Sequence, residues 1–202
     1  MLFKGLGLRE RVMVFLDIGT GLRRGELAGL KWQDIDFETC QIIPRRSIVA
    51  QWIGPVKTGA SGKAIPLDNS LIEDLLTWRR ETPYARDSDD VFASAKMAGK
   101  QPYWLSRIMQ HHIKPVAEKL GIQLKGFHSL RHTYCTLLGA NGNDTKVLSE
   151  LLRHASLKVT TDVYMQALTE NKRDAHHGVI RLVVPQQAPQ AQAVIIGKMV
   201  SC

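Results

Sequence analysis

His128-Ser129-Leu130-Arg131-His132 sets two histidines and an arginine within five residues, at the head of an apolar-striped segment. Residues at i, i+3 and i+4 share one helix face, so His128, Arg131 and His132 can be aimed at a common target. Near neutral pH the trio holds one permanent cation and two groups that exchange protons. An anion, most naturally a phosphate, suits such a cluster. By itself the stretch fits equally an ordinary helix start whose polar residues face water. The partners that the rest of the chain supplies decide between the two.

Length and charge narrow the class of protein. With 202 residues the chain can bury a sizeable core as one large domain or two small ones. The formal net charge of +8 suits a polyanion, nucleic acid before membrane. Apolar runs such as 12–16 are far too short to span a bilayer, and residues 1–7 lack the features of a signal peptide. Cys40, Cys135 and Cys202 are scattered and odd in number. They are expected as reduced thiols of a cytoplasmic protein, without a disulfide framework or a zinc site.

Upstream of the quoted stretch, residues 8–20 carry a helical apolar rhythm, broken by Gly19-Thr-Gly-Leu-Arg-Arg-Gly25. A short helix with Leu27, Leu30 and Trp32 inward follows. Residues 34–67 alternate as strands around turns and predict a small antiparallel three-stranded sheet, with 55–62 as a loop or hairpin tip. Ser70-Leu-Ile-Glu73 reads as a capping box opening a helix with Leu71, Leu75, Leu76 and Trp78 inward. Residues 102–120 predict a long amphipathic helix, kinked or divided at Pro115. Residues 129–140 predict a helix with Leu130, Tyr134, Leu137 and Leu138 inward. Shorter helices follow over 145–152 and 156–166, and a Gln-, Ala- and Pro-rich tail begins at Pro185. The fold class is therefore mixed α+β, mainly α-helical.

Four further positions can answer the histidine-arginine cluster. Arg23, with Arg24 beside it, stands at the mouth of a glycine turn before a helix, where a guanidinium can clamp a phosphate and Glu26 can hold it by an ion pair. Lys57 opens Lys57-Thr-Gly-Ala-Ser-Gly-Lys63, where a lysine can enter a DNA groove or protonate a leaving oxygen. His154 follows Leu151-Leu-Arg153 and can donate to a phosphate oxygen. Tyr164 ends Thr-Thr-Asp-Val-Tyr, and a tyrosine oxygen can act as a covalent nucleophile. Taken singly, each is as readily a solvated cation, a helix cap or a packing residue.

Their joint order resembles the catalytic domain of the tyrosine recombinases, the phage-integrase family, from about Leu8 to Met165. The match extends to Leu30-Lys-Trp-Gln-Asp-Ile-Asp-Phe37, Ala64-Ile-Pro-Leu67 and His154-Ala-Ser-Leu-Lys-Val-Thr-Thr-Asp-Val-Tyr164. The resemblance implies a DNA breaking-rejoining fold. It also implies a catalytic set of Arg23 and Arg131 on the scissile phosphate, Lys57 protonating the departing 5′ oxygen, His128 as acid/base, His154 supporting the phosphate and Tyr164 forming a 3′-phosphotyrosyl link. Double-stranded DNA is the implied partner, with self-assembly on DNA through exchange of C-terminal tails. No nucleotide, metal or other cofactor is implied. Arg24, Lys63 and Arg153 are candidate DNA contacts, and His132 is expected to pack or to support.

Two departures from the family pattern stand out. Arg153 occupies a position where the family usually has glycine. An N-terminal core-binding domain usually precedes the catalytic one, whereas seven residues precede the first helix here. The expected layout is a catalytic domain at 1–182 without that N-terminal domain, and a tail at 183–202. Alternatives are a type IB topoisomerase-like nicking-closing enzyme, a truncated recombinase that only binds DNA, and a metal hydrolase on His128 and His132. The last lacks the glutamate of the zinc-helix motif, which is Ser129 here.

Overall fold

A computed structural model describes residues 2–50, 52–56, 59–141 and 145–153 of this chain. The first helix, α1, is Leu8–Thr20, as its rhythm predicts. Val12, Met13, Leu16, Asp17 and Thr20 face inward at three- and four-residue spacing. Gly21 ends the helix in the left-handed region (φ 58°), its N–H returning to Asp17 O at 2.9 Å. A Cβ there would lie 2.5 Å from Tyr134 Cδ1, so the turn requires glycine both for its φ and for its room. A second helix, α2 (Arg24–Ala28), follows at once, and Leu27, Leu30 and Trp32 are buried as expected.

Five short strands come next: β1 (Ile35–Asp36), β2 (Gln41–Ile42), β3 (Arg46–Val49), β4 (Trp52–Pro55) and β5 (Ile65–Pro66). The predicted three-stranded antiparallel sheet is β1-β2-β5. Its register sets Ile35 opposite Ile42 and Ile42 opposite Ile65, one buried row of isoleucines. Strands β3 and β4 form a separate hairpin, paired from Arg46–Pro55 to Val49–Trp52. The chain therefore reverses after Val49, with Ala50 at φ 48°, rather than within 55–62. The sequence hid this turn because alanine is not a turn former and 47–52 reads as one continuous strand. Gly25 lets the hairpin close onto α2, since a Cβ there would meet Ser47 Oγ at 2.3 Å. The segment between β4 and β5 contains a tight helical turn at Gly59–Gly62.

The next helix, α3, is Asn69–Glu81. Its cap is Asp68, not the predicted Ser70: the Asp68 carboxylate accepts from Ser70 N–H at 2.9 Å. A carboxylate at a helix N-terminus is favoured by the aligned peptide dipoles. The predicted long helix is interrupted: α4 (Leu105–Ile108) passes through a wide π turn at Met109–Ile113 into α5 (Lys114–Lys119). Pro115 has no N–H to offer the preceding turn, and the widened turn absorbs that loss. Leu105, Ile108, Met109, Ile113 and Ala117 still face the core.

Helix α6 is Phe127–Ala140, and α7 is Thr145–Leu151. Helix α1 packs against both α3 and α6. The inward stripe of α6 is Phe127, Leu130, Arg131, Cys135 and Gly139, while Leu137 is 55% exposed. The expected inward Leu137 is thus turned out, two positions from both Cys135 and Gly139, which continue the stripe. An arginine in the middle of that stripe is the first sign that the core carries chemistry. No helix among the described residues is long and apolar enough to cross a membrane.

The two leucines of α6 separate this packing from the sequence expectation. Leu130→Ala should destabilise the chain by about 2–5 kcal/mol in urea denaturation, and Leu137→Ala by less than about 0.5 kcal/mol.

Candidate active site

Arg23 caps α2 with its backbone N–H on Glu26 Oε2 at 2.9 Å. Its Nη1 donates to Glu26 Oε1 at 2.8 Å and to Ser61 Oγ at 2.7 Å, and its Nη2 donates to Arg153 O at 2.9 Å. Arg131 reaches from α6 to the glycine turn, where Nη1 donates to Gly21 O, and to the end of α7, where Nη2 donates to Leu152 O at 2.6 Å. Arg153 donates Nη1 to Ser61 O and Nη2 to Glu26 Oε2, both at 2.8 Å. Three guanidinium groups from distant segments are thus fixed by one carboxylate, one serine and a set of backbone carbonyls.

Among the described residues the charges do not balance. Glu26 is 1% exposed, and burial would raise its pKa, but Arg153 and Arg23 together hold it below the usual carboxylate value. Burial, and then the neighbouring Arg23 and Arg153, bring Arg131 down to about 10, which leaves it charged at neutral pH. Asp17 is fully buried, and neither carboxylate oxygen has a hydrogen-bond partner among the described residues. Burial raises its pKa well above the ordinary range against the pull of Arg131, and Glu26 adds to the rise. That favours the neutral acid, so Glu26 is the cluster's main counter-charge. An incoming anion would relieve the excess of positive charge, and Arg23, with 28% of its side chain exposed, offers an edge to receive it.

The remaining expected residues fall in several places. His128 lies on the outer side of α6, its Nε2 2.8 Å from Nε2 of His132, with the rings edge to face. The pair does not converge on Arg131, whose side chain turns inward. His132 has its pKa lowered by partial burial and then by His128 and Arg131, so it favours the neutral ring that can share a proton with His128. Arg24 is exposed and lines a groove of about 640 Å³ with Arg46, Lys100 and Trp104. Lys63 is exposed. Lys57, His154 and Tyr164 lie outside the described residues. Among the described residues no group of three His, Cys, Asp or Glu side chains is placed to hold a metal ion.

Arg153 departs from the expected DNA contact: it is 2% exposed, drawn inside by the buried carboxylate of Glu26. Its φ of 54° lies in the left-handed region, where a side chain costs about 1 kcal/mol or more, and its Nε is buried with no partner among the described residues. Two residues escaped the sequence reading. Asp17 was detectable as an acid on the inner stripe of α1. Ser61 gave no signal, because a serine in a Gly-Ser loop is ordinary. Tyr134 packs over Gly21, and burial raises its phenol pKa despite Arg153 and Arg131 nearby, which makes it a poor nucleophile.

Comparison with known proteins places the chain in a family. Residues 4–171 match the model of the phage integrase family. This chain belongs to the phage integrase family. It is 30% identical over 191 residues to a XerC-like tyrosine recombinase of Caldanaerobacter subterraneus subsp. tengcongensis, covering 84% of this chain and 48% of that protein. It is 31% identical over 172 residues to the tyrosine recombinase XerA of Pyrococcus furiosus, covering 83% and 54%. The chain thus spans about half the length of the curated relatives it matches. Among solved structures, the Tn1549 transposon integrase in complex with circular intermediate DNA superposes with a TM-score of 0.66 at 22% identity, covering 84% of this chain and 59% of that one. The fold is accordingly that of the integrase family's catalytic domain, helix-rich with a small antiparallel sheet.

In this phage integrase family chain, Glu26 is the residue whose loss should be felt most in the fold. Glu26→Gln leaves Arg153 buried without its counter-charge and should cost about 3–5 kcal/mol in urea denaturation at pH 7. Because the folded pKa of Glu26 is depressed, its contribution is complete above the unfolded value of about 4.3. It is lost as pH falls through the folded value. Stability measured from pH 7 downward should therefore lose part of its acid limb in the variant.

Proposed function

We propose that this chain cleaves and rejoins DNA strands as a site-specific recombinase, through a covalent link on Tyr164. Support comes chiefly from one observation: Arg23 and Arg131, remote in sequence, are built into one buried, under-compensated cationic cluster. A phosphodiester entering at the exposed edge of Arg23 meets that charge, which grows in value as the phosphorus becomes five-coordinate. The oxygen of Tyr164 attacks phosphorus, the bond to the 5′ oxygen breaks, and Lys57 returns a proton to that leaving oxygen. His128 handles the tyrosine proton, its neighbour His132 holding the ring, and His154 supports a nonbridging oxygen. The phosphotyrosyl link keeps the bond energy, so a free 5′ hydroxyl from another strand can reseal it without metal or nucleotide.

Double-stranded DNA is the partner in this reading, with exposed Arg24, Lys63 and Lys100 as backbone contacts. Assembly of several copies on DNA is proposed to run through the tail at 183–202. The relatives named tyrosine recombinases support the reaction class. A DNA substrate and the thiols of Cys40 and Cys135 fit a cytoplasmic site of action.

A nicked suicide duplex, offered over a panel of candidate attachment sites, should trap a covalent protein–DNA adduct. Tyr164→Phe should abolish it, and the same adduct in that variant would remove Tyr164 as nucleophile. Arg131→Ala should slow adduct formation by about 10²–10³-fold. DNA affinity should also fall steeply between 50 and 200 mM salt, through counterion release, in a filter-binding or anisotropy titration.

A further inference from the structure

Arg23 and Arg153 are connected three times over. Glu26 Oε1 accepts from Arg23 Nη1 and Oε2 from Arg153 Nη2, each at 2.8 Å. Ser61 gives its hydroxyl oxygen to Arg23 at 2.7 Å and its carbonyl to Arg153 at 2.8 Å. The carbonyl of Arg153 itself accepts from Arg23 Nη2 at 2.9 Å. Two like charges are therefore held side by side, and the backbone adopts a left-handed φ of 54° at a non-glycine residue to keep them there. Arg153 itself is 2% exposed, so it is closed to a phosphate, whereas Arg23 keeps an open edge.

We propose that Arg153 is a positioning residue for Arg23: it occupies one oxygen of Glu26 and pins Arg23 Nη2 through its own carbonyl, so that Arg23 presents a fixed, half-compensated guanidinium to the scissile phosphate. Without the Arg153 side chain, Glu26 Oε2 keeps only the Arg23 backbone N–H and can also turn to the Arg23 guanidinium, so that both carboxylate oxygens face it as a bidentate pair. Arg23 would then be better neutralised and would face Glu26 instead of the substrate. Glycine at 153 relieves the left-handed backbone and keeps Glu26 paired, so the fold tolerates the change. The peptide carbonyl remains, but the side chain that anchors its segment to Ser61 and Glu26 is gone. A lysine restores the charge but supplies only one ammonium, which cannot reproduce the two-pronged hold on Ser61 O and Glu26.

The proposal rests on the reading of Arg23 as a phosphate clamp, and the test separates the two. Arg153→Gly and Arg153→Lys are compared with the unchanged full chain for single-turnover adduct formation on the suicide duplex, DNA affinity and melting temperature. In Arg153→Gly the cleavage rate should fall by at least tenfold while DNA affinity changes less than threefold, with Arg153→Lys between the two. Placed in an Arg23→Lys background, Arg153→Gly should cost less than twofold, because its effect travels through Arg23. Nitrogen-15 NMR of the Arg23 guanidinium should show restricted rotation in the unchanged chain and faster averaging in Arg153→Gly, with no DNA present. Undiminished cleavage by Arg153→Gly, or an equal rate loss in the Arg23→Lys background, overturns the positioning role. A changed melting temperature with the cleavage rate and the Arg23 spectrum unmoved also overturns it, since that is what a purely structural tie would give. Failure of the unchanged chain to form any adduct, with the Arg23 spectrum still responding to residue 153, overturns the phosphate role and leaves the pinning intact.

Discussion

The buried carboxylate of Glu26 is the constraint on which the rest of the site depends. A lone carboxylate inside a protein is strongly disfavoured, and so is a lone guanidinium. Here each supplies the other's reason for being inside. Glu26 fixes Arg23 at the start of α2 and holds Arg153 at the end of α7, while Ser61 joins both from the segment between β4 and β5. The same residue caps the backbone of Arg23, so the helix start and the charge pair are a single device. An apolar cluster of equal volume could stabilise such a fold as well or better, and it would offer nothing to an anion.

Backbone geometry does the remaining placement. The left-handed turn at Gly21 exposes a carbonyl that Arg131 takes, and it leaves the space that Tyr134 fills. Among the described residues Arg131 is therefore oriented by main-chain acceptors, with no carboxylate hydrogen-bonded to it. That arrangement fixes direction without cancelling charge. The lowered pKa of Arg131 expresses the same thing electrostatically: it is buried beside two other cations, and the folded chain bears the cost. Stability is conceded at the place where an anion can repay it.

Much of this was legible in the sequence, and the exceptions have physical causes. Helix α1, the glycine break, the isoleucine-lined sheet and the division at Pro115 follow from periodicity, turn chemistry and the missing proline N–H. The joint order of Arg23, Lys57, His128, Arg131, His154 and Tyr164 carried the resemblance, and family membership stands on the match over 4–171. What periodicity could not reveal was a contact between residues remote in sequence. Arg153 reads as a surface cation by residue type, yet Glu26 draws it inside. Ser61 matters through a carbonyl that every residue has. The turn after Val49 was invisible because Ala50 adopts a positive φ without being a residue that asks for one. The cap of α3 shifted to Asp68 because two polar residues two positions apart compete and the carboxylate wins.

The separations along the chain in this cluster bear on how the molecule comes into being. Arg23 and Arg153 are joined across 130 positions, Glu26 and Arg153 across 127, Arg131 and Gly21 across 110, and Arg153 and Ser61 across 92. Contacts of that range form only after the intervening chain has collapsed, because loop closure is entropically costly until other packing has compensated for it. Helices α1 and α3 can appear early from local interactions, but the cationic cluster is completed only when α2, α6 and the end of α7 have met. A nascent or partly unfolded chain thus carries the arginines without their alignment. The alignment of these arginines is a property of the finished fold alone.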